Sequence, residues 1–201
     1  MGHSEEMQSI IVGSLLGDSH LEKRKGGVGT RLVLEQSGKN VEYLMWFHKK
    51  LSSEGYCSEK KPKLKIRVRK KGIFYSYTVN SYTFKSLNKL HEMFYESNNG
   101  VRRKVIPKDI DLNPLVLAVW FMEDGSKSND TIRIATNNFE KEEVEYLCKL
   151  LRERYGIKAS AQKGGKSKGY ILFIYKSSKE IFEGLVRKHM VKSKYNKLGD
   201  K

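Results

Sequence analysis

Two aspartates stand where their chemistry can be metal binding. Asp18 closes the apolar run 9–18 (SIIVGSLLGD) and Asp124 closes the run 114–124 (PLVLAVWFMED). Both runs have the spacing and composition of helices apolar almost all round, so each is expected to be buried on most sides, against the other. Gly13 and Gly17, four residues apart on one helix face, allow a partner backbone to come close. Helices packed that way bring Asp18 and Asp124 together at the same end. The last turn of a helix has carbonyls without intrahelical partners and the negative pole of the dipole, so carboxylates there add charge where a cation is already favoured. With no histidine or cysteine spacing nearby, the donors are oxygens only, which suits Mg²⁺, with Mn²⁺ as a substitute, better than zinc. Beside a phosphodiester, ions held this way activate water and stabilise the leaving oxygen. Either aspartate alone reads more simply as a helix stop, since Asp-Ser and Asp-Gly are common turn pairs.

What sets the pair apart is a duplication. The tetrapeptide Val41-Glu42-Tyr43-Leu44 recurs as Val144-Glu145-Tyr146-Leu147, and each copy opens a stretch of helical apolar spacing that ends near a glycine, Gly55 and Gly156. A β-favouring segment precedes each, 30–36 (TRLVLEQ) and 131–136 (TIRIAT), and each of those follows an Asp-tipped helix. Two further strands are expected between residues 60 and 82, meeting at Lys71-Gly72. Strands at 157–161 and 170–175 flank a Gly/Lys-rich hairpin connection at 162–169. Later helices are expected at about 84–95 and 179–189. Periodicity breaks over 98–113, where Asn98, Asn99, Gly100, Pro107 and the Asn113-Pro114 pair fall; Asn113 as cap and Pro114 as first residue start the second apolar helix.

Lysine and arginine total 39 against 23 acids, a net charge of +16, which points to a polyanionic partner, nucleic acid first. A hydrophobic content of 38% is too high for a disordered basic tail. No apolar run approaches the roughly 18 residues that cross a bilayer, so no membrane partner is expected. Cys57 and Cys148 form no Cys-x-x-Cys pair and the first residues lack a secretion signal, so a reducing, intracellular setting is expected, a bacterial cytoplasm or an organelle matrix. From Lys60 to Lys71 there are eight basic residues and no acid. Within that run Lys63, Lys65, Arg67 and Arg69 alternate with Leu64, Ile66 and Val68, so a strand puts the charges on one face and the aliphatics on the other, buried one. The charged face suits phosphates or base edges; a ribbon of this kind fits a major groove, where Arg67 and Arg69 can pair with guanine. An edge strand charged against aggregation has the same pattern. On the next strand Tyr75 and Tyr77 are candidates for the same surface, although which alternate set faces it is open. In the second half Arg133, Lys158, Ser160 and Gln162 are the corresponding candidates. Lys163, Lys166, Lys168, Arg187, Lys188, Lys192 and Lys194 are expected at phosphates or in solvent.

The segments 11–19 (IVGSLLGDS) and 117–125 (LAVWFMEDG) resemble the two motifs of single-chain LAGLIDADG homing endonucleases, the subgroup of the mitochondrial omega-intron enzyme. The likeness extends over about residues 9–198, with Leu34-Glu-Gln-Ser37, Lys104-Val-Ile-Pro107, the 142–147 helix start and Lys194-Tyr-Asn-Lys-Leu198 in support. It implies an α+β fold of two pseudo-symmetric αββαββα lobes, at 1–105 and 106–201, whose antiparallel sheets form a saddle over DNA. It further implies Asp18 and Asp124 as metal-binding acids, with the carbonyls of Gly17 and Glu123 completing part of the coordination, and Lys104 and Lys197 as active-site lysines. The motifs depart from the family pattern at Ser19, Val119 and Glu123. The implied activity is metal-dependent double-strand cleavage of a long asymmetric DNA target by a monomer. An intron RNA maturase, or a relative that binds nucleic acid without cutting, is the alternative.

Overall fold

A computed structural model describes residues 3–98, 100–165 and 169–199. Asn99, Lys166 and Lys168, singled out above, lie outside the described residues. Glu5–Leu16 forms helix α1, capped by Ser4, whose hydroxyl accepts the Met7 N–H at 3.2 Å, with Glu5 and Glu6 at its positive end. Then follow strands β1 (His20–Lys23) and β2 (Thr30–Ser37), helix α2 (Val41–Ser53), strands β3 (Lys65–Arg69) and β4 (Gly72–Asn80), and helix α3 (Leu87–Phe94). After a short ribbon, β5 (Tyr95–Asn98) and β6 (Val101–Lys104), the order repeats. Helix α4 (Pro114–Asp124) leads to β7 (Gly125–Ser128), β8 (Thr131–Ala135), α5 (Lys141–Tyr155), β9 (Ala159–Lys163), β10 (Tyr170–Ile174) and α6 (Lys179–Val186).

Each half is thus αββαββα, with one four-stranded antiparallel sheet. The strand orders match across the repeat, β1-β2-β4-β3 and β7-β8-β10-β9. Strands β5 and β6 were not anticipated, and β1 and β7, implied by the αββαββα resemblance, had no segment assigned to them from the sequence. At four residues each they are too short to show alternation, and β7 follows α4 without a break because Gly125 leaves no side chain to meet Phe121.

Helices α1 and α4 pack side by side at the centre. Gly13 makes this possible: a Cβ there would sit 2.7 Å from the Val116 carbonyl oxygen and 2.8 Å from the Val119 Cβ. Asn113 caps α4, its Oδ1 accepting the N–H groups of Leu115 and Val116 at 3.1 and 3.0 Å, with Pro114 next. Residues 116–122 of α4 are all buried, as expected of a helix apolar on every side.

The β3–β4 ribbon departs from expectation. It was to bury one face, yet every residue of β3 is exposed, Ile66 at 61% and Val68 at 79%. On β4, Ile73 and Tyr75, which pair with Val68 and Ile66, are exposed as well, so the aliphatic face of the ribbon is left uncovered among the described residues.

Candidate active site at the seam between the two halves

Helix α1 ends at Leu16, with the Gly17 N–H bonded to the Ser14 carbonyl at 3.1 Å, and Asp18 lies just past this turn. Asp124 is the last residue of α4. The two carboxyl groups are near enough for Asp18 to act electrostatically on Asp124: burial first, and then the Asp18 charge, push the Asp124 carboxyl up to about 7. The convergence read from the sequence is present, across the α1–α4 seam.

Both expected lysines reach this place. Lys104, at the end of β6, donates to three carbonyls at the α1 terminus, Leu15 at 2.8 Å, Gly17 at 3.2 Å and Ser19 at 2.8 Å. Lys197 donates to the Glu123 carbonyl at 2.7 Å. Each ammonium thus sits on orphan carbonyls at the negative end of a helix, where cations are favoured. Burial lowers the Lys104 pKa, and burial with the nearby Lys194 lowers that of Lys197 to about 8.

The carbonyls of Gly17 and Glu123, expected to help bind metal, each carry a lysine ammonium. A carbonyl oxygen has two lone pairs, so one remains on each. Among the described residues there is no group of three or more His, Cys, Asp or Glu side chains able to hold a metal. The donors at the seam are therefore two carboxylates and backbone carbonyls, all hard oxygens, and the Asp18 charge raises the cost of ionising Asp124. That donor chemistry fits a hard divalent cation such as Mg²⁺ or Mn²⁺, which would remove the repulsion.

Several side chains missed in the sequence complete the site. Gln36, on β2, donates from Nε2 to Asp18 Oδ2 at 2.5 Å; its own Oε1 accepts from Asn40 Nδ2 at 2.8 Å, and Asn40 Oδ1 accepts from Lys194 Nζ at 2.9 Å. Lys194 was expected at phosphate or in solvent; it is buried, its ammonium 5.2 Å from the centre of the Tyr43 ring. The Glu123 side chain is buried too. It accepts from the Asp18 N–H at 2.6 Å, the Ser14 hydroxyl at 2.7 Å and the Tyr43 hydroxyl at 2.6 Å. A signal for Gln36 existed: it continues the inward phase of Leu32 and Leu34 on β2, where a polar side chain needs a partner.

The β3–β4 register decides which residues share the basic face. Lys65 stands opposite Ser76 and Arg67 opposite Phe74, so Lys65, Arg67 and Arg69 line up with Phe74 and Ser76. Tyr75 pairs with Ile66, and Tyr77 with Gln36, on the other face. The two tyrosines therefore leave the expected reading surface, because a strand must alternate. Arg67 also pairs with Glu35 on β2 at 2.9 Å, and Lys65 donates to Thr78 at 2.9 Å. Lys63 precedes β3 and is exposed. In the second sheet Arg133 and Ser160 both stand beside Phe173, with Gln162 beside Ile171, so these candidates share one face; the Arg133 guanidinium lies 5.9 Å from the Phe173 ring centre. Lys158 precedes β9 and is exposed.

Comparison with known proteins gives a consistent setting for this geometry. The sequence profile of the LAGLIDADG DNA endonuclease family matches residues 8–182. The cytochrome b mRNA maturase bI2 of Saccharomyces cerevisiae is 40% identical over 198 residues, covering 96% of this chain and 47% of that protein. Its namesake from Debaryomyces hansenii is 38% identical, covering 98% and 74%. The chain thus spans about half the length of the first relative and three quarters of the second. Among solved structures, the homing endonuclease I-WcaI bound to its DNA recognition sequence superposes with a TM-score of 0.85 at 25% identity, covering 98% of this chain and 88% of that one.

Proposed function

The chain belongs to the LAGLIDADG DNA endonuclease family, and from that premise we propose that it is a monomeric homing endonuclease that breaks both strands of a long asymmetric DNA site. The observation that carries this reading is the meeting of Asp18 and Asp124, from opposite halves, each with a lysine on its own helix terminus. The halves act as two lobes dividing at residues 105 and 106, each sheet reading half of the target. Lys65, Arg67 and Arg69 on one ribbon, and Arg133, Ser160 and Gln162 on the other sheet, form the reading faces, with Lys63 and Lys158 at their margins. I-WcaI, the structural relative with the high TM-score, is bound to its DNA recognition sequence, which supports DNA as the ligand of this saddle.

Asp18 and Asp124, with the free lone pairs of the Gly17 and Glu123 carbonyls, hold the metal in this proposal. When bound, Mg²⁺ supplies a lowered pKa for water and charge neutralisation at the scissile phosphate. Hydrolysis then joins the water oxygen to phosphorus and breaks the P–O3′ bond, leaving a 5′ phosphate and a 3′ hydroxyl. Lys104 and Lys197 present their ammonium groups beside the reacting phosphate and stabilise its developing charge. Gln36 holds Asp18 Oδ2, so this carboxylate keeps one orientation.

Replacing Asp18 or Asp124 by Asn is expected to abolish double-strand cleavage of a site recovered by cleavage selection, while leaving target binding intact. Undiminished cutting by both single variants would refute the metal assignment. A second reading, RNA splicing as a maturase, is favoured by one observation: two relatives near 40% identity are mRNA maturases. Splicing rescue by the Asp18→Asn, Asp124→Asn double variant would separate that activity from cutting.

A further inference from the structure

A carboxylate buried at a protein's centre normally answers to a cation; that of Glu123 answers to three neutral donors, two of them in α1 and the turn that follows it. Its Oε2 accepts the N–H of Asp18 at 2.6 Å, and its Oε1 accepts the Ser14 and Tyr43 hydroxyls at 2.7 and 2.6 Å. The chain immediately before one aspartate of the pair therefore grips the backbone of the other. Among the described residues there is no reciprocal grip. The residue at the matching position of the first half is Gly17, and a Cβ there would come 2.3 Å from Glu123 Oε2, so the space is already filled. The supports of the two carboxylates differ accordingly. Asp18 is held at its amide by Glu123 and at Oδ2 by Gln36. Among the described residues no side chain or backbone group donates a hydrogen bond to the Asp124 carboxylate, whose attractive partners are the charges of Lys197 and Lys104.

We infer that Glu123 is a positioning residue for Asp18, a strut that crosses the seam, and that the two metal-binding carboxylates are in consequence unequally fixed, so that the two DNA strands respond unequally when the strut is cut. The inference rests on the endonuclease reading for its kinetic part and not for its structural part. Ser14 and Tyr43 keep the strut in place: Tyr43 is buried and stacks on Trp46, and Ser14 sits one turn before the aspartate. The backbone N–H of Asp18 has no helical acceptor at this point, so Glu123 is its partner.

Two variants of similar volume separate hydrogen bonding from packing. Glu123→Met keeps the length and removes the acceptors; Glu123→Gln keeps one oxygen for the Asp18 N–H and turns its NH₂ toward the Ser14 and Tyr43 oxygens, which can accept. The first readout is amide hydrogen exchange of the segment containing Asp18, in metal-free protein. Exchange at Asp18 is expected to speed up at least tenfold in Glu123→Met and to return toward the wild-type rate in Glu123→Gln. The second is nicking of each strand, followed with separate end labels on the selected site, with Mn²⁺ bound to the protein–DNA complex counted by electron paramagnetic resonance. Glu123→Met is expected to slow one strand at least tenfold and the other less than threefold, and to weaken one class of Mn²⁺ site; Glu123→Gln is expected to recover most of the lost rate. Should Glu123→Met fail to fold, Tyr43→Phe, which removes one of the strut's three bonds, is expected to give the same pattern at smaller size. Unchanged exchange at Asp18 in Glu123→Met or Tyr43→Phe, or equal slowing of both strands, overturns the inference. If the wild-type protein cuts no selected site, the endonuclease reading fails, and the exchange measurement still decides the strut.

Discussion

Asp124→Asn should make the metal-free protein more stable while it destroys cutting. The carboxyl is pushed from 3.8 to about 7, by burial first and by the Asp18 charge second. A displacement of that size corresponds to at most about 4 kcal/mol of preference for the neutral form once the pH exceeds both values. The opposing pull of Lys197 and Lys104 is already contained in that value, and water reaching the site screens the charges, so about 1–3 kcal/mol is the expected gain. For a chain of this size that raises the Tm by about 3–10 °C. The pH dependence has a definite sign. Because the folded pKa lies above the unfolded one, the native state holds more protons than the unfolded state between about pH 4 and 7, and wild-type stability falls as pH rises across that window. The Asn side chain has no proton to lose. The gap between variant and wild type should therefore open from pH 4, reach its full size near pH 7 and stay level above it. Urea unfolding without divalent metal, at pH 4, 5.5, 7 and 8, measures it. A variant no more stable than wild type at pH 8, or a gap that ignores pH, would refute the claim that the paired carboxylates repel one another.

Other changes follow from the same geometry. Gly13→Ala drives a methyl onto the Val116 carbonyl and the Val119 side chain, forcing α1 and α4 apart; a loss of about 1–3 kcal/mol is expected in thermal unfolding. Lys104→Met removes the ammonium that joins three carbonyls beside Asp18, and single-turnover cleavage should fall about a hundredfold or more while gel-shift affinity changes little. Arg67→Ala and Arg69→Ala should each relax base preference at one position of the selected site by about 1–3 kcal/mol, whereas alanine at a phosphate-contacting lysine should lower the log–log salt slope of binding by about 0.9 without changing the selected sequence.

The sequence carried the plan of the molecule because its largest elements leave periodic traces. Two helices apolar on every side had to be buried, and the shared Val-Glu-Tyr-Leu start showed that the surroundings of each were built twice. From that the meeting of Asp18 and Asp124 could be read. The positions of Lys104 and Lys197 came from family resemblance; in composition they are two among 39 basic residues. What escaped were features set by register and side-chain direction. Tyr75 and Tyr77 alternate as clearly as their neighbours, yet only the pairing of β3 with β4 shows which set lies beside Arg67. Lys194 reads as one more surface lysine until the C-terminal turns fold across α2 and bury it beside Asn40 and Tyr43. The exposed aliphatics of the β3–β4 ribbon escaped for the opposite reason: alternation gives two faces and cannot say whether anything covers the second.

The same contacts explain why the acids can stand together before any metal arrives. Each helix terminus concentrates negative potential, and each is met by an ammonium: Lys104 from the ribbon joining the halves, Lys197 from the C-terminal turns. Burial lowers the pKa of both, so these lysines hold their protons less firmly than surface ones, while burial and Asp18 make Asp124 hold its proton more firmly. Near neutral pH Asp124, at about 7, and Lys197, at about 8, therefore both lie close to balance between their charged and neutral forms. Asp18 and Asp124 would hold a divalent cation, whose charge would favour ionised Asp124 and oppose the nearby ammonium groups of Lys104 and Lys197. Metal binding would thus be coupled to the placement of the lysines, through groups that the two halves contribute in equal number but, because Glu123 faces Gly17, not in equal support.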